Sequence, residues 1–212
     1  WNDFGSPFHI ACSEDGSMTL YSTWCSMDFP TELVAVTVPS STECEESIAG
    51  VSVMKGAVYK PVTNENEHIL SQLAKHETEA RMVRTVDGKD MLTWVLYPPQ
   101  FDAAKEYPSI LICLGGPQGT LSQGWSYRWN YRLMADQGYV VVLPNRRGTT
   151  AFGQDWTEQI SGDYPGLNMQ DYLAAARELK AEPYVGKMAA CGASYGGYSV
   201  YNLCGVHEGM FD

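Results

Sequence analysis

The stretch that most restricts the fold of this chain is a glycine-rich run near its carboxyl end, Gly192-Ala193-Ser194-Tyr195-Gly196-Gly197. It follows small apolar residues typical of a strand, 188–191, and precedes residues 198–203, which can form a helix. A serine at the apex of a sharp turn brings the residues two before and two after it into near contact, where glycine fits and a side chain does not. This context indicates an exposed nucleophilic serine, and the alternative is a glycine-rich turn with an incidental serine.

The second half of the chain alternates strand-like and helix-like segments. Residues 109–114 and 139–143 are continuous apolar runs, which are typical of strands buried on both faces of a sheet. A hairpin precedes them, turning at Asp87-Gly88, and a third strand over 187–191 leads into the serine turn. Helices are predicted over 129–137, 151–161 and 168–181. The alternation predicts an α/β domain with a mostly parallel sheet covered by helices on both faces.

The first part of the chain reads instead as antiparallel β structure. Its predicted strands span 8–12, 18–24, 31–38 and 51–59, with a turn at Asp15-Gly16, an exposed acidic loop over 40–50 and a helical turn at 69–73. So few strands are marginal in water as an independent unit, which predicts that they belong to a larger all-β unit.

Composition excludes several classes of protein. The net charge of −11 argues against a nucleic-acid partner, and the sequence has no run of about twenty apolar residues to span a membrane. The six cysteines form no C-x-x-C pair and the four histidines have no ligand spacing, so we predict no metal and no other cofactor. Cys113 and Cys191 lie in apolar runs and are predicted to be buried free thiols.

A nucleophilic serine also needs an oxyanion hole, a base and a group that orients the base. One oxyanion donor is expected to be the backbone N–H of Tyr195, the residue after the serine. The second is expected from Gly115-Gly116-Pro117, which follows the apolar strand 109–114, because glycines let the backbone approach a reacting carbonyl. The alternative for this loop is a plain glycine turn before a proline.

Six short motifs in this order resemble the prolyl oligopeptidase family of serine peptidases, and most closely its bacterial dipeptidyl-peptidase and acylaminoacyl-peptidase branch. They are Leu-Gly-Gly-Pro-Gln at 114–118, Trp-Ser-Tyr-Arg-Trp-Asn at 125–130, Asn-Arg-Arg-Gly at 145–148, Phe-Gly-Gln at 152–154, Ile-Ser-Gly-Asp-Tyr at 160–164 and Gly-Ala-Ser-Tyr-Gly-Gly-Tyr at 192–198. The resemblance implies a β-propeller joined to an α/β-hydrolase domain. Residues 1–77 would be the end of the propeller region plus a connector, and 78–212 the N-terminal part of the hydrolase domain.

The resemblance also implies roles for individual residues. Ser194 would be the nucleophile, Tyr195 and Gly116 the oxyanion donors with Gly115 beside them, and Trp125, Tyr127, Arg146 and Arg147 would line the substrate pocket. The alternatives are core packing for the aromatic residues and solvated surface charge for the arginines. The family implies a peptide substrate, a homodimer of the full-length protein, and a periplasmic or secreted location, with a cytoplasmic one as the alternative.

The two remaining members of a Ser-Asp-His triad are not identified in this chain. They follow the serine in hydrolases of this fold, and the one later histidine, His207, would lie about 15–20 Å away along a helix rising 1.5 Å per residue. We therefore expect the 212 residues to be an inactive fragment of a serine peptidase that works through an acyl-enzyme. The alternatives are an esterase or lipase on the same fold and a non-catalytic binding module.

Overall fold

The computed structural model describes residues 2–40, 44–46, 52–54, 56–207 and 209–212. The chain forms two compact units, one of Trp1–Ala74 with Ser122–Asn130 and the other of Lys75–Leu121 with Tyr131–Asp212. Among the described residues, no helix has both the length and the apolar character needed to cross a bilayer.

The first unit consists mainly of antiparallel strands. They are β1 (Asp3–Phe4), β2 (His9–Cys12), β3 (Met18–Ser26), β4 (Phe29–Val38), β5 (Cys44–Glu46), β6 (Ser52–Met54) and β7 (Val58–Pro61), followed by a short helix α1 (Glu67–Leu70). The main sheet has the order β1-β3-β4-β7, and β2 also pairs with β3. The predicted turn between β2 and β3 is present, with Gly16 at a φ of 79° that glycine adopts without strain.

Two predictions for this unit are wrong in part. Part of the expected acidic loop forms β5, which pairs antiparallel with β6, while residues 41–43 and 47–50 lie outside the described residues. The single strand expected over 51–59 is two strands, β6 and β7. Gly56, at a φ of 77°, turns the chain between them.

The second unit contains a five-stranded mixed sheet. Its strands are β8 (Thr78–Arg84), β9 (Asp90–Leu96), β10 (Tyr107–Cys113), β11 (Val140–Pro144) and β12 (Val185–Gly192), in the order β12-β10-β11-β9-β8. Strand β10 runs parallel to both of its neighbours, β11 and β12. The predicted hairpin, β8 and β9, adds two antiparallel pairings. The predicted parallel arrangement therefore holds for β10, β11 and β12.

Helices cover both faces of this sheet. They are α2 (Tyr131–Asp136), α3 (Gln154–Glu158), α4 (Leu167–Lys180) and α5 (Tyr195–Val206). Leu111 and Val142 share one buried cluster with residues of α4 and α5. Because side chains alternate along a strand, the buried Val141 and Leu143 belong to the opposite face, against which α2 packs. The sheet core is therefore apolar on both faces, as predicted.

Helix α3 is shorter than the expected 151–161. Ala151 and Gly153 have φ values of 75° and 91°, outside the helical region, so the helix starts only at Gln154. Gly162, at a φ of 76°, turns the chain after it.

The prediction that Cys191 is buried is wrong, whereas Cys113 is 2% exposed as expected. Strand β12 lies at the edge of the sheet, and Met188, which packs in the core, lies an odd number of residues from Cys191. Cys191 therefore lies on the face of β12 that is turned away from this core, at a sheet edge.

Candidate active site

The serine turn joins the edge strand β12 to helix α5 through one strained residue. Gly192 ends the strand, Tyr195 begins the helix, and Ser194 between them has φ 57° and ψ −124°. A residue with a side chain rarely adopts a positive φ, and such strain is typical of functional turns. The Ser194 side chain is exposed and makes no hydrogen bond to any other described residue, which leaves its hydroxyl open to an incoming ligand.

The glycines on either side of Ser194 allow the turn to close as the sequence predicts. A Cβ built on Gly192 would lie 2.6 Å from both the carbonyl carbon and the carbonyl oxygen of Gly196. A Cβ on Gly196 would overlap the carbonyl oxygen of Cys113 at the end of β10. Real Cβ atoms do not approach other atoms so closely, so both positions require glycine.

The Gly115-Gly116-Pro117 loop lies beside this turn because of the strand register. Strands β10 and β12 are parallel neighbours, with Cys113 opposite Gly192, so their carboxyl ends are adjacent. A Cβ on Gly115 would lie 3.0 Å from the Ala193 carbonyl oxygen and 3.8 Å from the Ser194 Cβ. The structure therefore brings the two predicted glycine-rich segments together at one edge of the sheet.

Two backbone N–H groups in these segments have no acceptor among the described residues. Tyr195 is the first residue of α5, so its N–H has no partner within the helix. Within the described ranges, neither this N–H nor that of Gly116 donates a hydrogen bond to another residue. Free N–H groups at a helix amino terminus, where the helix dipole is positive, can stabilise a developing negative charge. The arrangement is that of an exposed serine, the candidate nucleophile, with two candidate oxyanion donors in the adjoining segments.

The histidines of the second unit lie away from the serine. His207 follows the twelve residues of α5 and is thirteen residues after Ser194, which at 1.5 Å per residue places it about 20 Å along the helix from the serine. Its Nδ1 accepts a hydrogen bond from the backbone N–H of Phe211 at 3.2 Å. His76 Nε2 lies 2.8 Å from Asp136 Oδ1. In the described part of this unit, no histidine is placed to take a proton from Ser194.

Arg147 is buried, so the alternative of a solvated surface charge is wrong. Its Nε and Nη2 donate to the two carboxylate oxygens of Asp171 at 2.8 and 2.9 Å, and its backbone N–H donates to the same group. The guanidinium also reaches Asp87, at 2.7 Å from Nη2. Burial raises the pKa of Asp171, and the hydrogen bonds from Arg147 oppose that rise. Arg147 therefore joins the segment after β11 to α4 and to the β8–β9 hairpin.

Arg146 is also fully buried, and it contacts the loop beside the serine. Its Nη1 donates to the Pro117 carbonyl at 2.8 Å, and its Nε donates to the Tyr172 hydroxyl at 3.2 Å. Since both arginines are 0% exposed, neither presents its guanidinium at an open pocket surface. The surface alternative is wrong for Arg146 as well, and the pocket role of the two arginines stays a prediction.

No sequence pattern singled out Asp171 or Tyr172, the residues of α4 that accept hydrogen bonds from Arg147 and Arg146. Both are fully buried, on a helix whose other buried residues include Leu173 and Ala176. One signal for Asp171 was available in the sequence. It is a carboxylate close to the apolar face of a predicted helix, and an Arg-Arg pair precedes that helix. Because buried charges are normally paired, this pattern could have indicated a buried ion pair.

The two aromatic residues predicted for the substrate pocket lie in segment Ser122–Asn130, which belongs to the first unit. Trp125 and Tyr127 contact each other with ring centroids 5.7 Å apart. Tyr127 is 85% exposed, so the core-packing alternative is wrong for it. The pocket role of these residues stays a prediction.

A depression of about 590 Å³ within the second unit adjoins the Gly115-Gly116-Pro117 loop, the candidate oxyanion loop. It is lined by Pro117, Gln118, Ile160, Ser161, Gly162, Tyr164 and Pro165. The Tyr164 ring packs edge-on against Tyr195 at 5.0 Å, and the Tyr195 hydroxyl donates to the Tyr164 carbonyl at 3.2 Å. Pro117 therefore lines the depression on the loop side, and Tyr164, another lining residue, contacts Tyr195, the residue after the serine.

Comparison with known proteins supports the sequence resemblance. Residues 125–212 match the model of the prolyl oligopeptidase family. The chain is 54% identical over 173 residues to dipeptidyl-peptidase 5 of Porphyromonas gingivalis, covering 81% of this chain and 25% of that protein. It is 56% identical over 161 residues to dipeptidyl-peptidase 5 of Porphyromonas endodontalis, covering 75% and 23%. The chain therefore spans about a quarter of the length of these relatives.

Solved structures confirm the predicted fold class. The acylaminoacyl peptidase of Pyrococcus horikoshii superposes with a TM-score of 0.73 at 20% identity, covering 97% of this chain and 29% of that one. Dipeptidyl peptidase 4 of Porphyromonas gingivalis superposes with a TM-score of 0.60 at 20% identity, covering 97% and 34%. At this identity the likeness concerns the fold, and the chemistry has to be argued from the residues.

Proposed function

The chain belongs to the prolyl oligopeptidase family, and from that premise we propose that it carries the nucleophile and both oxyanion donors of a serine peptidase. The proposed reaction removes dipeptides or acylated residues from peptide amino termini. The observation that supports it most is the exposed Ser194 at a positive φ, with the Gly115-Gly116 loop packed against it. The names of the two Porphyromonas relatives support the dipeptidyl specificity.

In the proposed mechanism the Ser194 Oγ attacks the carbonyl carbon of the scissile peptide bond. A histidine takes the serine proton as the new C–O bond forms, and the carbonyl electron pair moves to its oxygen. The N–H groups of Tyr195 and Gly116 stabilise that oxyanion. When the C–N bond breaks, the histidine gives its proton to the leaving amine, and water then hydrolyses the acyl-enzyme by the same steps.

The proton acceptor is a group other than the histidines described above. In α/β-hydrolases the acid and the histidine follow the serine in chain order. The proposal therefore applies to the protein at its natural length.

The depression beside Pro117 is proposed to receive a substrate side chain. Its position next to the oxyanion loop and Tyr164 supports this assignment. Trp125 and Tyr127 are proposed to contribute to substrate binding, as the family resemblance predicts.

A fluorophosphonate probe tests the proposed nucleophile directly, because it reacts with an activated serine and stays bound. We expect the natural-length protein to be labelled at Ser194, the Ser194→Ala variant to lose labelling, and the Ser71→Ala variant, changed at an exposed serine of the first unit, to keep it. Labelling that persists in Ser194→Ala would contradict the proposal. A dipeptidyl amide cleaved faster than a short acyl ester would separate the peptidase from an esterase.

The cellular context is part of the same proposal. By the family resemblance we propose a periplasmic or secreted location and a homodimer, with a peptide as substrate and no nucleic-acid partner. Cell fractionation tests the location, and sedimentation analysis of the purified protein tests the dimer.

A further inference from the structure

Arg146 is a buried cation at the centre of the contacts that hold the oxyanion loop. Its Nη1 donates to the Pro117 carbonyl at 2.8 Å and to the Arg147 carbonyl at 2.9 Å. Gly148, at a φ of 96°, leaves the space that this guanidinium occupies, since a Cβ there would lie 2.6 Å from Nη1. Pro117 is the residue after Gly116. The hydrogen bond to the Pro117 carbonyl therefore restricts the orientation of the Gly116 N–H.

A second set of contacts fixes the other end of the same loop. The Tyr172 hydroxyl accepts hydrogen bonds from Arg146 Nε at 3.2 Å and from the backbone N–H of Leu114 at 2.9 Å. Tyr172 is 0% exposed and lies on the long helix α4, which makes it a rigid support. Leu114 and Pro117 bracket the two glycines, so the pair Arg146–Tyr172 holds the flexible part of the loop from both sides.

The guanidinium of Arg146 also contacts the residue that supplies the other oxyanion donor. Its central carbon lies 5.1 Å from the centroid of the Tyr195 ring, within the range of a cation–π contact. The Tyr195 hydroxyl is fixed in turn by Asn168 Oδ1 at 2.9 Å. Arg146 therefore touches both segments that carry the donor N–H groups.

Arg147 is paired with the carboxylate of Asp171, whereas Arg146, in the described part of the chain, hydrogen-bonds only to neutral groups. Its acceptors are two carbonyl groups and a hydroxyl, and its Nη2 has no hydrogen-bond partner among the described residues. Its positive charge opposes the burial that raises the pKa of Tyr195 to about 12. A buried cation without a carboxylate favours negative charge developing nearby, and in a site of low polarity this effect is stronger than in water.

We infer that Arg146 is a positioning residue of the oxyanion hole, which holds the Gly116 N–H against the serine turn through Pro117, Tyr172 and Tyr195. This inference rests on the proposed function of Ser194. It assigns to Arg146 a role in stabilising the transition state rather than in binding the substrate.

The test uses the natural-length protein with Arg146→Met, Arg146→Lys and Tyr172→Phe, and with Arg177→Met as a matched control at an exposed arginine of α4. Fluorophosphonate titration first counts working sites, so that kcat is expressed per site. KM and kcat are then measured with a dipeptidyl amide, together with the affinity for a dipeptidyl boronate, which forms an anionic tetrahedral adduct with serine.

For Arg146→Met we expect kcat per site to fall about ten- to a hundredfold, which is no more than the fall caused by removing one oxyanion donor. KM should stay within about threefold of the wild-type value. Boronate affinity should fall by a similar factor, because it follows transition-state stabilisation. Arg146→Lys should recover part of the loss, since it keeps the charge but not the planar fork. Tyr172→Phe should lower kcat in the same direction.

A purely structural role would lower the number of titrated sites and leave kcat per site and boronate affinity at the values of Arg177→Met. That result would overturn the inference. If Arg146→Met does not fold, Arg146→Lys and Tyr172→Phe are judged by the same two measurements. A wild-type protein that is not labelled at Ser194 would overturn the proposed function and this inference with it, whereas labelled wild type with unaffected variants would overturn the inference alone.

Discussion

Gly196, in the first turn of α5, lies so close to the carbonyl oxygen of Cys113 at the end of β10 that no side chain fits between them. This contact brings the helix that follows the serine against the strand that leads into the oxyanion loop. It therefore couples the position of Ser194, the proposed nucleophile, to that of Gly116, the proposed second oxyanion donor, through backbone atoms alone.

Replacing Gly196 with alanine should disrupt this contact. The new methyl group would overlap the Cys113 carbonyl, and an overpacked core typically costs about 1–3 kcal/mol. We expect a lower midpoint in thermal or urea unfolding together with loss of fluorophosphonate labelling. Gly205 in the same helix has nothing within 4 Å of its Cβ position, so Gly205→Ala should instead stabilise by about 0.4–1 kcal/mol. Equal stability of the two variants would contradict the close packing of Gly196 against β10.

The buried pair Arg147–Asp171 should contribute far more to stability than an exposed pair. Asp171→Ala leaves the guanidinium buried without its main partner, which typically costs about 3–5 kcal/mol. The matched control is Asp90→Ala, which removes an exposed contact with Arg84 and should cost less than about 1 kcal/mol. Chemical denaturation of both variants gives the comparison, and a cost for Asp171→Ala no larger than that of the control would argue against the buried pair.

Stability should fall in acid partly because of Asp87. Hydrogen bonds from Arg147, and then from Thr85, hold the pKa of the Asp87 carboxyl well below its usual range. A lowered folded-state pKa means that the carboxylate stabilises the fold above its unfolded pKa of about 3.9 and that this contribution is lost as the pH falls below it. We expect Asp87→Asn to be less stable than wild type at pH 6 and to lose less in Tm between pH 5 and pH 2.5. Parallel Tm curves would refute this assignment.

The exposed and buried cysteines should differ in reactivity. Burial raises the pKa of the Cys113 thiol to about 12, so at pH 8 it is almost entirely protonated as well as inaccessible. Cys191 and Cys204 are exposed. Brief alkylation with iodoacetamide followed by peptide mass spectrometry should modify these two and spare Cys113 until the protein is unfolded. Early modification of Cys113 would show that β10 is open to solvent.

The local structure of the serine turn could be predicted from the sequence because its causes lie within a few residues. The spacing of Gly192 and Gly196 around Ser194 reflects a steric requirement of the turn itself, and the apolar runs of β10 and β11 reflect burial on both faces. The order of the parallel strands then places the ends of β10 and β12 side by side, so the loop at Gly115 could be assigned to the same site.

The roles of Arg146 and Arg147 could not be predicted in this way. Their partners Asp171 and Tyr172 are more than twenty residues distant in sequence, and an Arg-Arg pair after a strand is equally compatible with a surface loop. Cys191 shows the same limit, since an apolar run does not reveal that its strand lies at the edge of the sheet.

The sequence by itself determined the turn that exposes Ser194 and the strands that lead to it, because glycine spacing and hydrophobic runs act locally. Only the tertiary structure decided which charges are buried, which strand forms the edge, and that Arg146 contacts both the Pro117 carbonyl and the Tyr195 ring. These features depend on which segments pack together across the fold, and desolvation then makes each buried charge depend on partners that sequence spacing does not reveal.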